Sequence, residues 1–224
     1  EMQSWEIAPP FAELLANTGI VFHQGSVTDI NVDAKQVTVD NDTIFDYDKL
    51  VLSTGGKTPV NNVPGAKEHA LPFRFLDHAY RLQEKLRLIE EANPDKIRVA
   101  VVGGGYSGVE LACKLADRLG EKARIRIIDR GTEILKDSSE FNRKTAIAAL
   151  EKNQIWQDLE TEIANVESDS ISLTYKGQTD TIPVDLVLWT VGNQVASLVK
   201  DLPLAKNEQD LLKIEPTLLV EGRD

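Results

Sequence analysis

One cysteine, Cys113, is present among the 224 residues. A lone thiol excludes a disulfide within the chain and a CxxC redox pair, and Cys113 reads as a small buried group on a helix. Histidine is nearly as scarce. His23, His69 and His78 form no metal-ligand or triad spacing and read as structural or surface residues. Positive charge is in deficit too. The 25 Lys and Arg face 36 Asp and Glu, a formal net charge of −11, and no basic patch stands out. That argues against nucleic acid, and against this stretch lying on an anionic membrane by charge. No apolar run approaches the roughly 18 residues that span a bilayer, and no signal peptide is visible.

What is present centres on residues 97–130. Ile97–Val102 is a short β-branched apolar run, as a parallel strand covered on both faces requires. Gly103, Gly105 and Gly108 follow in GxGxxG spacing, with Gly104, Tyr106 and Ser107 between them. In such a loop the first glycine allows the tight turn, the second lets the backbone approach a pyrophosphate, and the third lets the helix pack close to the strand. The helix N-terminus then offers unpaired N–H groups to the phosphates. Arg124–Ile128 reads as the next strand, and Asp129 ends it, 21 residues past Gly108. An acid about 20 residues on is the expected partner of an adenosine ribose. Strand, glycine loop, helix, strand and acid in this order predict a dinucleotide-binding unit.

In chain order, Pro9-Pro10 opens a helix with Phe11, Leu14 and Leu15 on one side, and Asn17-Thr18-Gly19 stops it. Ile20–His23 and Val27–Val32 read as strands. Val37–Val39 and Thr43–Phe45 flank Asn41-Asp42 as a hairpin. Leu50–Gly56 reads as a buried strand ending in glycines, and residues 57–75 as a connector. A helix is expected over Leu76–Glu91, broken by Asn93-Pro94. Beyond Asp129, a helix at Ser139–Lys152 is followed by strands at Ile155–Gln157 and Leu159–Val166. Ile171–Tyr175 and Gln178–Ile182 form a second hairpin around Lys176-Gly177. Leu186–Gly192 is again a buried strand ending at a glycine, and Thr217–Val220 a last short strand.

The two halves repeat each other. Leu50–Gly56 and Leu186–Gly192 share LVLxTxG at an offset of 136 residues, and each follows a helix, a strand pair and a hairpin. A period this long fits two homologous nucleotide-binding domains, not a solenoid. In the second copy the glycine loop precedes the helix; in the first, that region would lie before Glu1. Glu1 opens without a leader, and the chain closes at Gly222-Arg223-Asp224 just past an expected strand. The sequence therefore reads as a piece of a longer protein whose upstream part carries a second fingerprint for another dinucleotide. The expected fold is α/β and Rossmann-like, built on two dinucleotide-binding domains.

The stretches IAPPFAELLANTGI, YDKLVLSTGG, VPGAKEHALPF, VAVVGGGYSGVELA and DLVLWTVGN resemble type II NAD(P)H:quinone dehydrogenases, particularly the cyanobacterial and plant-plastid branch of these flavoproteins. Members of that branch are similar to reductases of plastoquinone-like quinones or of demethylphylloquinone. The resemblance implies a partial FAD-binding domain and connector over 1–94, a complete NAD(P)H-binding domain over 95–192, and a return into the FAD domain over 193–224. It implies FAD in the full-length protein, NADH or NADPH as donor, and a membrane quinone as acceptor. Membrane contact would come only through a missing C-terminal region, at the cytoplasmic face of a thylakoid or plasma membrane. A homodimer is compatible with it. The piece alone is expected to be inactive.

Gly103, Gly104, Gly105, Tyr106, Ser107 and Gly108 match the family's nucleotide fingerprint. Glu110 matches an acid that points toward the nicotinamide–flavin junction, and is equally a first-turn glutamate favoured by the helix dipole. No other residue is expected to be catalytic. Thr190 and Gly192 match a motif whose backbone passes close to the nucleotide. Trp189 packs there or in the core. Thr54, Gly55 and Pro59 match the motif after the FAD-domain strand. The choice of donor rests on Asp129 and Arg130. A carboxylate accepts hydrogen bonds from ribose hydroxyls and opposes a 2′-phosphate by roughly 4 kcal/mol at 4 Å and a dielectric near 20, which favours NADH; Arg130 can offset much of that. Two other readings remain open: a soluble flavoprotein reductase that serves a ferredoxin- or rubredoxin-type protein, and a non-catalytic NAD(P)H sensor.

Overall fold

The computed structural model describes residues 6, 8–58, 60, 62–192 and 194–223. They form two compact units, one within 1–57 and 194–224, the other within 58–193. In chain order the first unit carries α1 (Phe11–Leu14), β1 (Val27–Asn31), β2 (Gln36–Val39), β3 (Thr43–Asp46) and β4 (Gly56–Lys57). The second begins with α2 (Ala66–His69), β5 (Ala70–Pro72), α3 (Leu76–Glu91), β6 (Ile97–Val102), α4 (Tyr106–Leu119) and β7 (Ala123–Ile128). It continues with α5 (Glu140–Lys152), β8 (Trp156–Asp158), β9 (Thr161–Val166), β10 (Ser170–Tyr175), β11 (Gln178–Pro183) and β12 (Leu186–Trp189). The chain then returns to the first unit through β13 (Gln194–Val195) and α6 (Ser197–Lys200).

The second unit is built on a five-stranded sheet in the order β5-β12-β6-β7-β8. All four pairings are parallel. The sheet is covered twice, which is why β12 is apolar along its whole length and β6 everywhere but the exposed Arg98. Val99 and Val101 of β6 and Leu186 and Leu188 of β12 pack with Leu82 and Leu86 of α3, Leu111 and Leu115 of α4 and Leu150 of α5. The alternate residues Ala100, Val102, Val187 and Trp189 pack with Val166, Ile171 and Leu173 of the antiparallel layer β9-β10-β11. The period of two along each strand thus sorts one sequence into two cores. Helix α3 forms where expected. Its N-terminus is held by His78, whose Nδ1 accepts the backbone N–H groups of Arg74 and Phe75 at 3.2 and 3.3 Å. Ser139 caps α5, its hydroxyl accepting the Asn142 N–H at 3.3 Å.

The repeat appears as two antiparallel three-stranded layers, β1-β2-β3 and β9-β10-β11. Their hairpin turns also correspond. Asp40 and Asn41 have φ of 53° and 68°, Lys176 and Gly177 of 48° and 81°. Two successive positive φ values suit the twist of flanking strands.

Several expectations do not hold. Residues 50–55 form no strand, and Val51 is 87% exposed although the matching Val187 is buried. A buried parallel strand needs neighbours on its edges and cover on its faces, and the described residues of the first unit place no parallel sheet beside this segment. Ile20–His23 is irregular for the same reason, with Val21 90% exposed. Thr217–Val220 forms only an isolated bridge between Ile214 and Val220. The supposed connector contains β5, an edge strand pairing Ala70 and Leu71 with Val187 and Leu188. The compact units divide at 57/58, and β5 and α3 complete the second unit's sheet and core.

Candidate functional site

The glycine loop joins β6 to α4 at the C-terminal edge of the parallel sheet, where open α/β folds place their ligands. Each fingerprint glycine meets a different environment. Gly103 has φ of +115°, and a Cβ there would lie 2.4 Å from Val191 Cγ1 and 2.7 Å from Thr190 Oγ1. A Cβ on Gly108 would lie 1.9 Å from the Gly103 carbonyl oxygen. Those two glycines are fixed by the protein's own packing. A Cβ on Gly105 would meet nothing within 4 Å. Gly105 is exposed and starts α4 from an extended conformation that any residue adopts, so the fold itself does not demand a glycine there.

Backbone bonds lock the loop to its neighbours. The Gly103 N–H donates to Ile128 O at 2.8 Å, and Leu135 N–H donates to Gly104 O at 2.8 Å. Thr190 donates to Val102 O twice, from its backbone N–H at 3.0 Å and from its hydroxyl at 2.8 Å. Asp129 accepts the Gly104 N–H on Oδ2 at 2.6 Å and the Gly131 N–H on Oδ1 at 2.7 Å. The carboxylate thus ties the glycine loop to the turn after β7.

Beside the loop lies a cleft of about 620 Å³. The ends of β6, β7 and β12 supply Val102, Ile128 and Trp189; Asp129, Arg130, Val191 and Gly192 follow on. The opposite wall comes from Thr161, Glu162 and Ile163 of β9, with Asn62 and Val63. Of the predicted residues, those from Gly103 to Gly108, with Asp129, Arg130, Thr190 and Gly192, fall in this one unit. Tyr106 is half exposed, and its hydroxyl accepts a hydrogen bond from Asn142 Nδ2 at 3.0 Å. Bonds with Ser138 and Asn142 lower its phenol below the usual range. Ser107 and Glu110 are exposed on α4. Trp189 is a core residue, 5% exposed, and its buried indole Nε1 has no partner among the described residues. Cys113 is half-buried, and burial followed by Asp117 raises its thiol.

Thr54 and Gly55 belong to the first unit. They sit exposed in the irregular segment of the first unit, with Gly55 at φ +63°. Pro59 lies outside the described residues. The β9 wall and Asn62-Val63 carry no local signal in the sequence. They reach the cleft only because the β9-β10-β11 layer folds over the sheet.

The sequence profile of the pyridine nucleotide-disulphide oxidoreductases matches residues 3–221. The chain belongs to that family. It is 50% identical over 227 residues to the demethylphylloquinone reductase NdbB of Synechocystis, covering 100% of this chain and 56% of that protein. It is 34% identical over 254 residues to the alternative NAD(P)H-ubiquinone oxidoreductase C1, chloroplastic/mitochondrial, of Arabidopsis thaliana, covering 99% of this chain and 49% of that one. The chain spans about half the length of these curated relatives. Among solved structures, NDH2 of Plasmodium falciparum in complex with NADH superposes with a TM-score of 0.74 at 21% identity, covering 86% of this chain and 45% of that one. The sulfide:quinone oxidoreductase of Aquifex aeolicus gives 0.74 at 22% identity, covering 85% and 47%. These structural likenesses bear on the fold, the Rossmann-like architecture that the sequence predicts.

Proposed function

We propose that the chain is the NAD(P)H-binding portion of a flavin-dependent NAD(P)H:quinone oxidoreductase whose acceptor is a membrane quinone of the plastoquinone or demethylphylloquinone type. One observation carries the nucleotide reading. Gly105, alone of the three fingerprint glycines, has open space where its side chain would be. A residue kept small with no packing reason suits close approach of a pyrophosphate to the backbone.

The residues present fit a dinucleotide. The N-terminus of α4 offers free N–H groups and a partial positive charge to two phosphates. Asp129 keeps unused lone pairs for ribose hydroxyls, because each carboxylate oxygen accepts more than one hydrogen bond. Bound nicotinamide would supply the hydride and bound flavin would accept it. The chain's part is to hold the donor in place; none of its side chains has to move a proton. Glu110, exposed near the start of α4, is retained as the residue facing the nicotinamide–flavin junction. The described residues of the first unit contain no second glycine loop of this kind. FAD binding is accordingly assigned to the full-length protein, with Thr54 and Gly55 contributing. The names of the two curated relatives support the quinone as acceptor.

Among the described residues no helix is long and apolar enough to cross a membrane. The proposal places the protein peripherally, at the cytoplasmic face of a thylakoid or plasma membrane, with the membrane contact outside this chain. The test is to purify the full-length protein, look for flavin absorbance, and follow NADH and NADPH oxidation with several quinones. Oxidation that depends on quinone is expected. Flavin-free protein, or oxidation indifferent to quinone, would overturn the reading.

A further inference from the structure

We propose that Arg143 of α5 is a positioning residue for the nucleotide loop: it fastens the segment 131–138, whose Leu135 N–H turns the peptide between Gly104 and Gly105 toward the ligand. This rests on the dinucleotide reading given above. Leu135 donates its N–H to the Gly104 carbonyl at 2.8 Å. The peptide joining Gly104 to Gly105 is trans, and in a planar trans peptide the carbonyl and the N–H point opposite ways. A carbonyl held on Leu135 therefore sends the Gly105 N–H away from that segment. That N–H has no partner among the described residues, and open space surrounds the position of the missing Gly105 side chain. An oriented, unused backbone donor at the start of α4 suits a phosphate oxygen.

Leu135 is in a conformation that needs support. Its φ is +50°, a left-handed value that a leucine keeps only when its surroundings impose it. Burial supplies part of the constraint. Ile134 and Leu135 are 1% and 7% exposed, and a Cβ on Gly104 would lie 3.0 Å from Ile134 Cγ2. Arg143 supplies the rest. Its Nη2 donates to Lys136 O at 3.1 Å and to Ser138 O at 3.2 Å, just after Leu135. Its Nε lies 3.4 Å from Glu133 Oε2, just before it, an ion pair without a hydrogen bond. One guanidinium thus grips the segment on both sides of Leu135, which its planar fork does better than a single ammonium. The side chain is 23% exposed and committed to these partners, so it acts on the ligand through the segment. Asn142, on the same turn of α5, donates to the Tyr106 hydroxyl at 3.0 Å and ties α5 to the first turn of α4.

The test is calorimetric titration of NADH into the full chain and into Arg143→Ala, Arg143→Lys and Lys144→Ala, each well below its melting temperature. The Leu135 and Gly105 amides are followed by hydrogen exchange and NMR. Lys144 is the control: it is 75% exposed, pairs with Glu140, and carries the same charge one residue away. Arg143→Ala should weaken NADH about tenfold, the order of one hydrogen bond to a charged group, and speed exchange at Leu135. Arg143→Lys should recover part of both, and Lys144→Ala should change neither. In the wild type the Gly105 amide proton should move downfield on NADH binding, and it should move less in Arg143→Ala. The inference is overturned if Arg143→Ala binds NADH within twofold of the wild type, if it loses no more than Lys144→Ala, or if affinity falls without faster exchange at Leu135. Should Arg143→Ala fail to fold, Arg143→Lys decides: weaker binding with faster Leu135 exchange supports the inference, and wild-type values for either overturn it. A Gly105 amide unmoved in wild type that binds NADH would overturn it while leaving the dinucleotide reading intact. Failure of the wild type to bind NADH would remove both.

Discussion

Gly105 and Gly108 are identical in sequence terms and different in physical ones. At Gly108 the missing side chain makes room for the Gly103 carbonyl, 1.9 Å from where a Cβ would sit. Gly108→Ala should therefore cost about 1–3 kcal/mol or more through overpacking, read as a lower melting temperature with or without nucleotide. Gly105→Ala meets no atom within 4 Å and should leave the melting temperature of the free protein unchanged. Its cost should appear only in nucleotide affinity. Thr190→Val tests the clasp between β12 and β6. It removes the hydroxyl that donates to Val102 O at 2.8 Å, and a loss of about 1 kcal/mol is expected in chemical denaturation. At this scale the sequence was legible for the loop, because the GxGxxG spacing marks a positive φ at Gly103 and a packing contact at Gly108 that a side chain would disrupt. It was not legible for Asp129. Spacing marked the carboxylate for the ribose but did not reveal that both its oxygens are held by the Gly104 and Gly131 amides.

At the scale of elements, two copies of one motif have different fates. Leu186–Trp189 is a buried central strand, whereas residues 50–55 carry the same LVLxTxG pattern and form none. Local pattern specifies what a strand is suited to, and neighbouring strands decide whether it pairs. Native-state hydrogen exchange should show this directly. Amides of Leu186 to Trp189 should be among the slowest in the chain, and those of Leu50 to Leu52 among the fastest. Slow exchange at Leu50 to Leu52 would contradict the described arrangement. Leu188 is fully buried, and Leu188→Ala should cost about 2–5 kcal/mol. Helix α3 was legible because Leu82, Leu86 and Ile89 share one face and Asn93-Pro94 ends it. Strand β5 was not. It is three residues long and finishes in Pro72, which fits an edge position but gives no period to detect.

At the scale of the molecule, the cleft and the glycine loop lie wholly within the unit spanning 58–193, which has its own two-layered core. That unit expressed alone should melt cooperatively and bind NADH within about threefold of the whole chain's affinity. A much weaker affinity in a folded unit would mean that the first unit contributes to the donor site. The repeat made the two-part organisation legible from sequence, since the antiparallel layers and their positive-φ turns recur at the expected spacing. The unit that α3 joins was not legible, because the helix looks equally amphipathic whichever core it packs on. The β9 wall of the cleft arises only when the second layer closes over the sheet, and no local pattern in Thr161–Ile163 announces it.

The central claim is that this chain binds a dinucleotide on the loop at Gly103–Gly108, with Gly105 as the point of closest approach. Calorimetric titration of NADH into the wild type and Gly105→Ala, alongside thermal melts of both, tests it most directly. Equal melting temperatures are expected for the two free proteins, with at least a tenfold weaker affinity for Gly105→Ala. Equal affinity in two equally stable proteins would contradict it.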